Sequence, residues 1–253
     1  MILLGVFTLF NFKNHKYRFF VFFQLLFFIF VQKVTRDRRQ GRQVVDKDIS
    51  IRRSRYNVSY LIEVLKDIDD DQRTFLREVG FGCILEMDVG AVPWSFLQWL
   101  ADHVDVDNEE MTFDHKSIPI SPESFGHVLG ISTSGDPVPR ESKTSTAIFL
   151  DIFGLSELPN IKYFGEKITK KGLEKEEFIR CVMVVALSCL YCPTSNTKPS
   201  TAYLGALIET DKINSYNWGK FVHGWNLFYI KKYLKSSSTH AMCNYYFAVS
   251  LKH

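Results

Sequence analysis

Two short motifs hold side chains that could bind a metal ion or exchange electrons. Cys189-x-x-Cys192 and His240-x-x-Cys243 would together supply three thiolates and one imidazole, a ligand set that structural zinc sites use. The long stretch of chain between the pairs and their apolar surroundings argue against a shared site. The sequence therefore predicts no metal and no cofactor. If a metal does bind, the candidate ligands are Cys189, Cys192, His240 and Cys243.

The first pair also has the spacing of a redox motif. Redox-active Cys-x-x-Cys pairs lie at the N-terminus of a helix, where the helix dipole lowers the pKa of the thiol. Cys189 and Cys192 instead fall at the C-terminal end of an apolar segment that Pro193 terminates, where the dipole acts in the opposite direction. No Ser-His-Asp, His-Glu-x-x-His or paired-carboxylate signature occurs elsewhere. We therefore expect a protein that is not an enzyme and has no small-molecule substrate.

The segment that carries this pair is the predicted centre of the fold. Residues 174–192 begin with charged turns, and no charged residue occurs from Cys181 to Cys192. A helix that is apolar on every side is buried either in a protein core or in lipid. Because a membrane span needs about 20 residues, we predict a helix buried in a protein core.

The cysteine pattern indicates the redox state of the chain. The number of cysteines is odd, and three of them lie in or at the end of the apolar helix: Cys83, Cys181, Cys189, Cys192 and Cys243. This arrangement is typical of reduced, buried thiols in a cytosolic or nuclear protein rather than of a disulfide framework.

Charge divides the chain into a basic arm and an acidic body. The net charge of +3 combines +9 over residues 1–56 with −6 over the remainder. We interpret residues 33–55, which hold nine Lys or Arg, as a solvated basic linker. The alternatives are a nuclear localisation signal, a contact with nucleic acid, or the flank of a membrane segment. The body shows no broad electrostatic footprint for nucleic acid.

The first 32 residues are strongly apolar. Residues 19–31 would form a helix of about 20 Å, shorter than the roughly 30 Å hydrocarbon core of a bilayer. Three interpretations stay open: an artefact of the gene model, a single-pass membrane anchor with the body in the cytosol, and a signal peptide. The artefact, with the basic linker, predicts a nuclear protein. The anchor predicts a membrane protein whose contact with lipid is residues 19–31.

Residues 56–253 are predicted to form a mainly α, irregular helical domain with one small β-hairpin, and the apolar C-terminal end suggests truncation. A hairpin is predicted around residues 111–120, and Ser121-Pro122-Glu123 is a helix start. Further helices are predicted from apolar spacing and caps over Tyr60–Ile68, Gln72–Val79, Pro93–Asp105, short stretches of 147–172, Glu174–Cys192, Thr201–Ile213 and Ser215–Lys235.

The last of these helices carries aromatic residues at 3-4 spacing. Such a regular aromatic stripe is more often core than a ligand-binding cage. We therefore expect the following residues to be buried: Trp218, Phe221, Val222, Trp225, Phe228 and Tyr229.

A series of short strings occurs in order between Tyr56 and Leu251: Phe75-Leu76-Arg77-Glu78-Val79-Gly80-Phe81-Gly82, Pro93, Trp99-Leu100, Asp102-His103, Ile118-Pro119-Ile120-Ser121-Pro122-Glu123, Val128-Leu129-Gly130, Cys192-Pro193-Thr194-Ser195, Tyr203-Leu204-Gly205-Ala206-Leu207, Tyr216-Asn217-Trp218, Phe221-Val222 and Trp225. This series resembles the plant mobile domain, also called the aminotransferase-like plant mobile domain. The resemblance implies a mostly helical nuclear domain of transposon-derived plant proteins, often found upstream of a ubiquitin-like-protease domain.

The resemblance does not extend to catalysis. No lysine lies in a recognisable pyridoxal-phosphate context, so no aminotransferase activity is carried over. We expect a non-enzymatic helical interaction module whose protein partner the sequence does not identify. The alternatives are a membrane-anchored protein with the same body and a nucleic-acid-associated accessory protein of a transposon.

Overall fold

The computed structural model describes residues 57–87, 94–113, 116–170, 172–194 and 196–236. Within these ranges the chain is mainly α-helical with one small antiparallel sheet, and this confirms the predicted fold class. The predictions for the N-terminal segment, the basic linker, Pro93, His240 and Cys243 lie outside these ranges.

The described ranges contain eight α-helices: α1 Val58–Lys66, α2 Asp70–Glu78, α3 Trp94–Ala101, α4 Pro122–Leu129, α5 Lys143–Ile152, α6 Ile161–Ile168, α7 Lys175–Ala186 and α8 Trp218–Ser236. The described strands are β1 Val104–Asp105, β2 Glu110–Phe113 and β3 Lys116–Pro119, paired in that order. Short helical segments of other types complete the structure: 3₁₀ helices at Gly82–Glu86, Thr201–Leu207 and Thr210–Ser215, and a π turn at Leu187–Tyr191. Among these segments, no helix combines the length and hydropathy that crossing a bilayer requires.

The predicted caps define the starts of α2 and α4. The Asp69 carboxylate accepts from the amide of Gln72 at 2.8 Å, and the Gln72 side chain accepts from the amide of Asp69 at 3.1 Å. This reciprocal arrangement satisfies two amides at a helix start that have no partner inside the helix. Ser121 caps α4 in the same way, with Pro122 in the first turn. The acidic run before α2 therefore has a structural role.

The predicted hairpin is confirmed. Strands β2 and β3 pair antiparallel, with Met111 opposite Ile118 and Thr112 opposite Ser117. The two-residue strand β1 adds to the free edge of β2 and aligns Val104 with Met111. The result is a three-stranded sheet rather than a bare hairpin.

The third helix is shorter than predicted. Its apolar stripe predicted a helix over Pro93–Asp105, but α3 ends at Ala101 and Val104 lies in β1. The amide of Thr112 donates to the carbonyl of His103 at 2.9 Å, so cross-strand hydrogen bonds replace helical ones. Val104 is buried in the strand, and the predicted helix would bury it as well. The apolar pattern therefore does not distinguish a strand from a helix at this position.

The helix predicted over Thr201–Ile213 is also interrupted. The structure has two 3₁₀ helices there, separated at Ile208 and Glu209. The guanidinium group of Arg180 donates to the carbonyl of Leu207 at 3.1 Å and to that of Ile208 at 3.0 Å. Arg180 thereby satisfies carbonyls at the end of the first segment, where no further turn follows to bond them.

The loop that follows α4 is anchored on the residues that precede α8. Asp136 donates from its amide to the carbonyl of Ser215 and accepts from the amide of Asn217, each at 2.8 Å. A Cβ atom at Gly135 would lie 1.9 Å from the Ser215 carbonyl oxygen, and Gly135 has φ +106°. Only glycine fits this approach. Helix α8 then packs against α4 and so connects the C-terminal part of the domain to the sheet region.

Helix α7 lies at the centre of the core, as predicted. It packs against α6 and α1, and it also contacts both 3₁₀ helices of residues 201–215. Every residue from Cys181 to Cys192 is buried. Only Glu174–Glu177, in the charged first turn, and Arg180 reach towards solvent.

Candidate functional site

The C-terminal end of the central helix changes from α to π geometry at Leu187–Tyr191. The amide of Cys192 donates to the carbonyl of Leu187 at 2.7 Å, which is the i to i+5 bond of a π turn. Single π turns inside α-helices are frequent at functional sites. This turn contains the predicted Cys-x-x-Cys pair.

The thiols around the π turn are suited to packing rather than to reaction. Cys181, Cys189 and Cys192 form no disulfide bond, and none is more than 2% exposed. Burial raises the pKa of the Cys181 thiol to about 12 and raises the pKa of Cys189 well above its ordinary range. Since the thiolate is the nucleophile and the metal ligand, neutral thiols of this kind are chemically inert.

The structure addresses only half of the candidate metal site. Cys189 and Cys192 lie in the core, whereas His240 and Cys243 lie outside the described residues. Within the part of the chain that is described, no three His, Cys, Asp or Glu side chains come together in a way that could hold a metal ion.

The π turn instead holds a buried pair of hydroxyl groups. Ser188 Oγ lies 2.7 Å from the hydroxyl of Tyr203, and that hydroxyl also accepts from the amide of Ser200 at 3.0 Å. Ser188 is 1% exposed and Tyr203 is fully buried. Burial raises the pKa of the Tyr203 phenol well above its ordinary value, so it stays protonated. The pair connects the π turn to the 3₁₀ helix that begins at Thr201.

A second polar group in the core links α8 to the sheet. His223 is 5% exposed, and its Nε2 atom lies 3.0 Å from the carbonyl oxygen of Ile120. Its ring stands edge-on to Phe125 of α4, with the ring centroids 5.4 Å apart. The Glu109 carboxylate lies 3.7 Å from Nε2 of His223. The backbone of Glu109 has φ +53°. Such a conformation is uncommon for a residue with a side chain, and here it brings Glu109 to the edge of the His223 ring.

A lysine is held between two aromatic rings and a carboxylate at the contact of α6 with α7. Lys167 pairs with Glu177, and its ammonium group lies 5.7 Å from the ring centroid of Phe153 and 5.5 Å from that of Tyr163. The hydrogen bond that Lys167 donates to the Glu177 carboxylate raises the pKa of Lys167. This lysine therefore keeps its charge and fixes the two helices together.

The solvent-facing side of α8 combines aromatic and basic side chains. We call it the α8 face and define it as Lys220, Gly224, Phe228, Lys231, Lys232 and Lys235. At 100° per residue these positions share one side of the helix, and all of them are exposed. Phe228 is 62% exposed, so the prediction that this residue lies in the core is wrong.

The other members of the aromatic stripe have mixed burial. Trp218 and Val222 are buried as predicted, whereas Phe221, Trp225 and Tyr229 are half-buried and border the α8 face. Consecutive rings stay in contact along the helix: Phe221 and Trp225 are 6.2 Å apart between centroids, and Trp225 and Tyr229 are 5.1 Å apart. Phe228 stands edge-on to Tyr229 at 5.2 Å. The stripe therefore runs from the core to the surface.

A small hollow lies beside α1 on the described surface. It has a volume of about 100 Å³ and lies between Leu65, Arg73 and Ile84. Pockets for drug-sized ligands usually have a volume of about 300–1,000 Å³. This hollow is too small for such a ligand.

Sequence reasoning missed the roles of Ser188, Tyr203, Arg180 and His223. The hydrogen-bond partner of His223 lies 103 positions away, and the two carbonyl partners of Arg180 lie 27 and 28 positions away. No local sequence pattern predicts contacts between residues this far apart. A histidine among the apolar and aromatic residues of this helix was the one available signal.

Comparison with known proteins assigns the domain to a family without assigning an activity. No curated protein matches the chain. No solved structure matches it either. The model of one family, described as a domain of unknown function (DUF8566), matches residues 54–247. This match covers all of the described residues and most of the chain. The chain therefore belongs to the DUF8566 family.

Proposed function

We propose that this protein is a non-enzymatic interaction module of a transposon-derived plant protein, related to the plant mobile domain, and that it binds its partner through the α8 face. The observation that carries this proposal is the placement of Phe228, a large apolar ring that is 62% exposed, on a well-packed helix among lysines.

The polar groups in the core support a binding role over a catalytic one. Arg180 bonds the end of a 3₁₀ helix, Ser188 and Tyr203 bond each other, and His223 bonds a backbone carbonyl. Each of these groups holds two segments together. Ser188, Tyr203 and His223 are almost inaccessible to solvent, and the Arg180 side chain is 11% exposed. A substrate would have to break these contacts to reach them.

The aromatic residues around Phe228 are of the type that interfaces use. Aromatic residues are enriched at protein interfaces, where they bury a large apolar area with little loss of conformational entropy. Single exposed apolar residues are common and need no explanation. Phe228 differs because its ring contacts the half-buried ring of Tyr229, which in turn contacts Trp225, and it so extends an apolar strip.

We further propose that the protein acts in the nucleus. The basic linker, residues 33–55, and the resemblance to the plant mobile domain support this location. A fluorescent fusion that begins at Lys33 should accumulate in nuclei of plant cells. Exclusion of the fusion from the nucleus would contradict the proposal.

Site-specific photo-crosslinking in plant cells tests the interface. A benzophenone side chain at position Gly224 would project from the α8 face without a steric conflict, because a Cβ atom there meets nothing within 4 Å. The matched control places the same group at Lys170, which is exposed beyond the end of α6. We expect a discrete crosslinked species from Gly224 and not from Lys170. Equal crosslinking from both positions, or none from Gly224, would refute an interface on the α8 face.

A further inference from the structure

We propose that the α8 face binds the phosphate backbone of single-stranded nucleic acid, with Phe228 stacking on a base. This inference rests on the proposed interaction-module function and names the chemical class of its partner. Helix α8 carries four lysines and no acidic residue, although the body as a whole has an excess of acidic residues. The charge is therefore concentrated locally.

The lysines are placed for a contact with an extended polyanion. Lys220 lies in the first turn of α8 and Lys235 in the last, so at a rise of 1.5 Å per residue they are about 22 Å apart along the axis. Lys231 pairs with Asp107 at 2.8 Å, with the two side chains 51% and 84% exposed. An ion pair this exposed contributes little free energy and can exchange Asp107 for a phosphate.

The aromatic rings add a surface for bases. Proteins that bind single strands combine a positively charged track with aromatic side chains on which bases stack. Phe228 lies between Lys220 and Lys231 in sequence and on the same side of the helix. Its edge-on contact with Tyr229 holds one edge of the ring and leaves most of its surface exposed.

The charge of the chain itself argues against the alternative occupants within it. The basic linker, residues 33–55, would be repelled by the lysines of the α8 face. Residues 237–253 contain one lysine and no acidic residue, so they offer no complementary charge. A polyanion matches both the α8 face and the linker, and nucleic acid combines that charge with planar bases for Phe228.

Gly224 provides a test that leaves the fold intact. It lies in the middle of the α8 face, and an added side chain meets nothing within 4 Å. Gly224→Glu introduces a negative charge where the backbone phosphates would pass. Because glycine is unfavourable inside a helix, this substitution should not destabilise the domain.

The experiment measures binding of the full chain to a fluorescein-labelled oligothymidylate of 20 nucleotides by anisotropy, over a range of salt concentrations. The test variant is Lys220→Ala with Lys235→Ala. The matched control is Lys143→Ala with Lys170→Ala, which removes the same charge from exposed positions elsewhere and keeps the basic linker. Each lost phosphate contact should reduce the slope of log K against log salt by about 0.7. The test variant should therefore lose about 1.4 in slope and bind about 25-fold more weakly at 0.1 M salt.

Two further variants separate charge from stacking. Phe228→Ala should weaken binding about 5-fold or more with an unchanged salt slope, because stacking is not ionic. Gly224→Glu should weaken binding while its melting temperature stays at or above that of the wild type. Equal losses in the test variant and the control would overturn the proposal, since the linker or the net charge would then carry the binding.

Digestion of the crosslinked species tests the nucleic-acid partner separately from the interface on the α8 face. The species crosslinked at Gly224 is digested with nuclease or with protease. A species that nuclease shortens supports nucleic acid as the partner. A species that resists nuclease overturns the nucleic-acid partner but leaves the α8 face as a protein interface. The absence of any crosslink contradicts both proposals.

Discussion

The hydrogen bond between the buried hydroxyl groups of Ser188 and Tyr203 leads to a quantitative prediction about stability. Tyr203→Phe removes one oxygen atom and leaves the ring in place. It leaves the buried Ser188 hydroxyl and the amide of Ser200 without the partner that they have in the wild type, at 2.7 and 3.0 Å. A buried donor or acceptor left unsatisfied costs about 1–3 kcal/mol. We therefore expect Tyr203→Phe to reduce the free energy of unfolding by about 2–4 kcal/mol.

A double-mutant cycle tests whether this loss comes from the pair. Ser188→Ala leaves Tyr203 bonded to the amide of Ser200, so we expect a loss of about 1 kcal/mol. In the double variant the unsatisfied serine hydroxyl is gone. Its loss should therefore be smaller than the sum of the two single losses by about 1 kcal/mol. Urea denaturation followed by circular dichroism at neutral pH measures all four free energies.

Tyr163→Phe is the matched control for the same atom change. Tyr163 is half-buried on α6, and its hydroxyl has no hydrogen bond within the described residues. We expect this variant to stay within about 0.5 kcal/mol of the wild type. If Tyr203→Phe behaved like Tyr163→Phe, or if the cycle were additive, the hydroxyl pair would not contribute as we describe.

The same tyrosine also gives a pH dependence. Because burial raises the pKa of Tyr203, the folded state favours the neutral phenol. Its stability contribution is complete below the ordinary value of 10.0 and is lost as the pH rises above it. The free energy of unfolding should fall by about 1.4 kcal/mol per pH unit there, and less steeply in Tyr203→Phe. Equal slopes for the two proteins would contradict this assignment.

Three further predictions concern the core, the glycines and the thiols. Val184→Asp should unfold the domain, because it buries an unpaired charge at a fully buried position, and a native circular dichroism spectrum would refute this. Gly224→Ala should stabilise by about 0.5–1 kcal/mol, whereas Gly130→Ala should destabilise, since φ there is +64° and the new Cβ would meet the Cys83 sulfur; thermal melting compares them. Iodoacetamide at pH 8 should label the exposed Cys83 quickly and the buried Cys181 only as fast as the domain unfolds, as peptide mass spectrometry would report.

Patterns local in sequence were sufficient to predict much of the fold. The uncharged run from Cys181 to Cys192 has no polar face to turn towards water, so its burial follows from composition alone. The caps at Asp69 and Ser121 were predictable for a similar reason. A capping side chain bonds amides only two or three residues away, so both partners of the hydrogen bond lie in the same short stretch of sequence.

Tertiary structure decided the features that depend on distant partners. Apolar spacing could not show that Val104 lies in a strand, because its burial is satisfied by either conformation and only the neighbouring strand supplies hydrogen bonds. The break after Leu207 depends on Arg180, and the burial of His223 depends on Ile120. In each case the partner comes from a different element.

The aromatic stripe of α8 separates what the sequence determined from what packing determined. Its 3-4 spacing fixes which rings share a side of the helix, and this follows from helical geometry. How far each ring is buried depends on the elements that pack against α8, which spacing does not encode. Trp218 and Val222 are buried, and the Trp218 ring stands edge-on to Phe81 from the segment that follows α2, whereas Phe228 meets solvent among lysines. The sequence alone therefore determined the stripe, and only the packing of the helices decided that part of it faces outward.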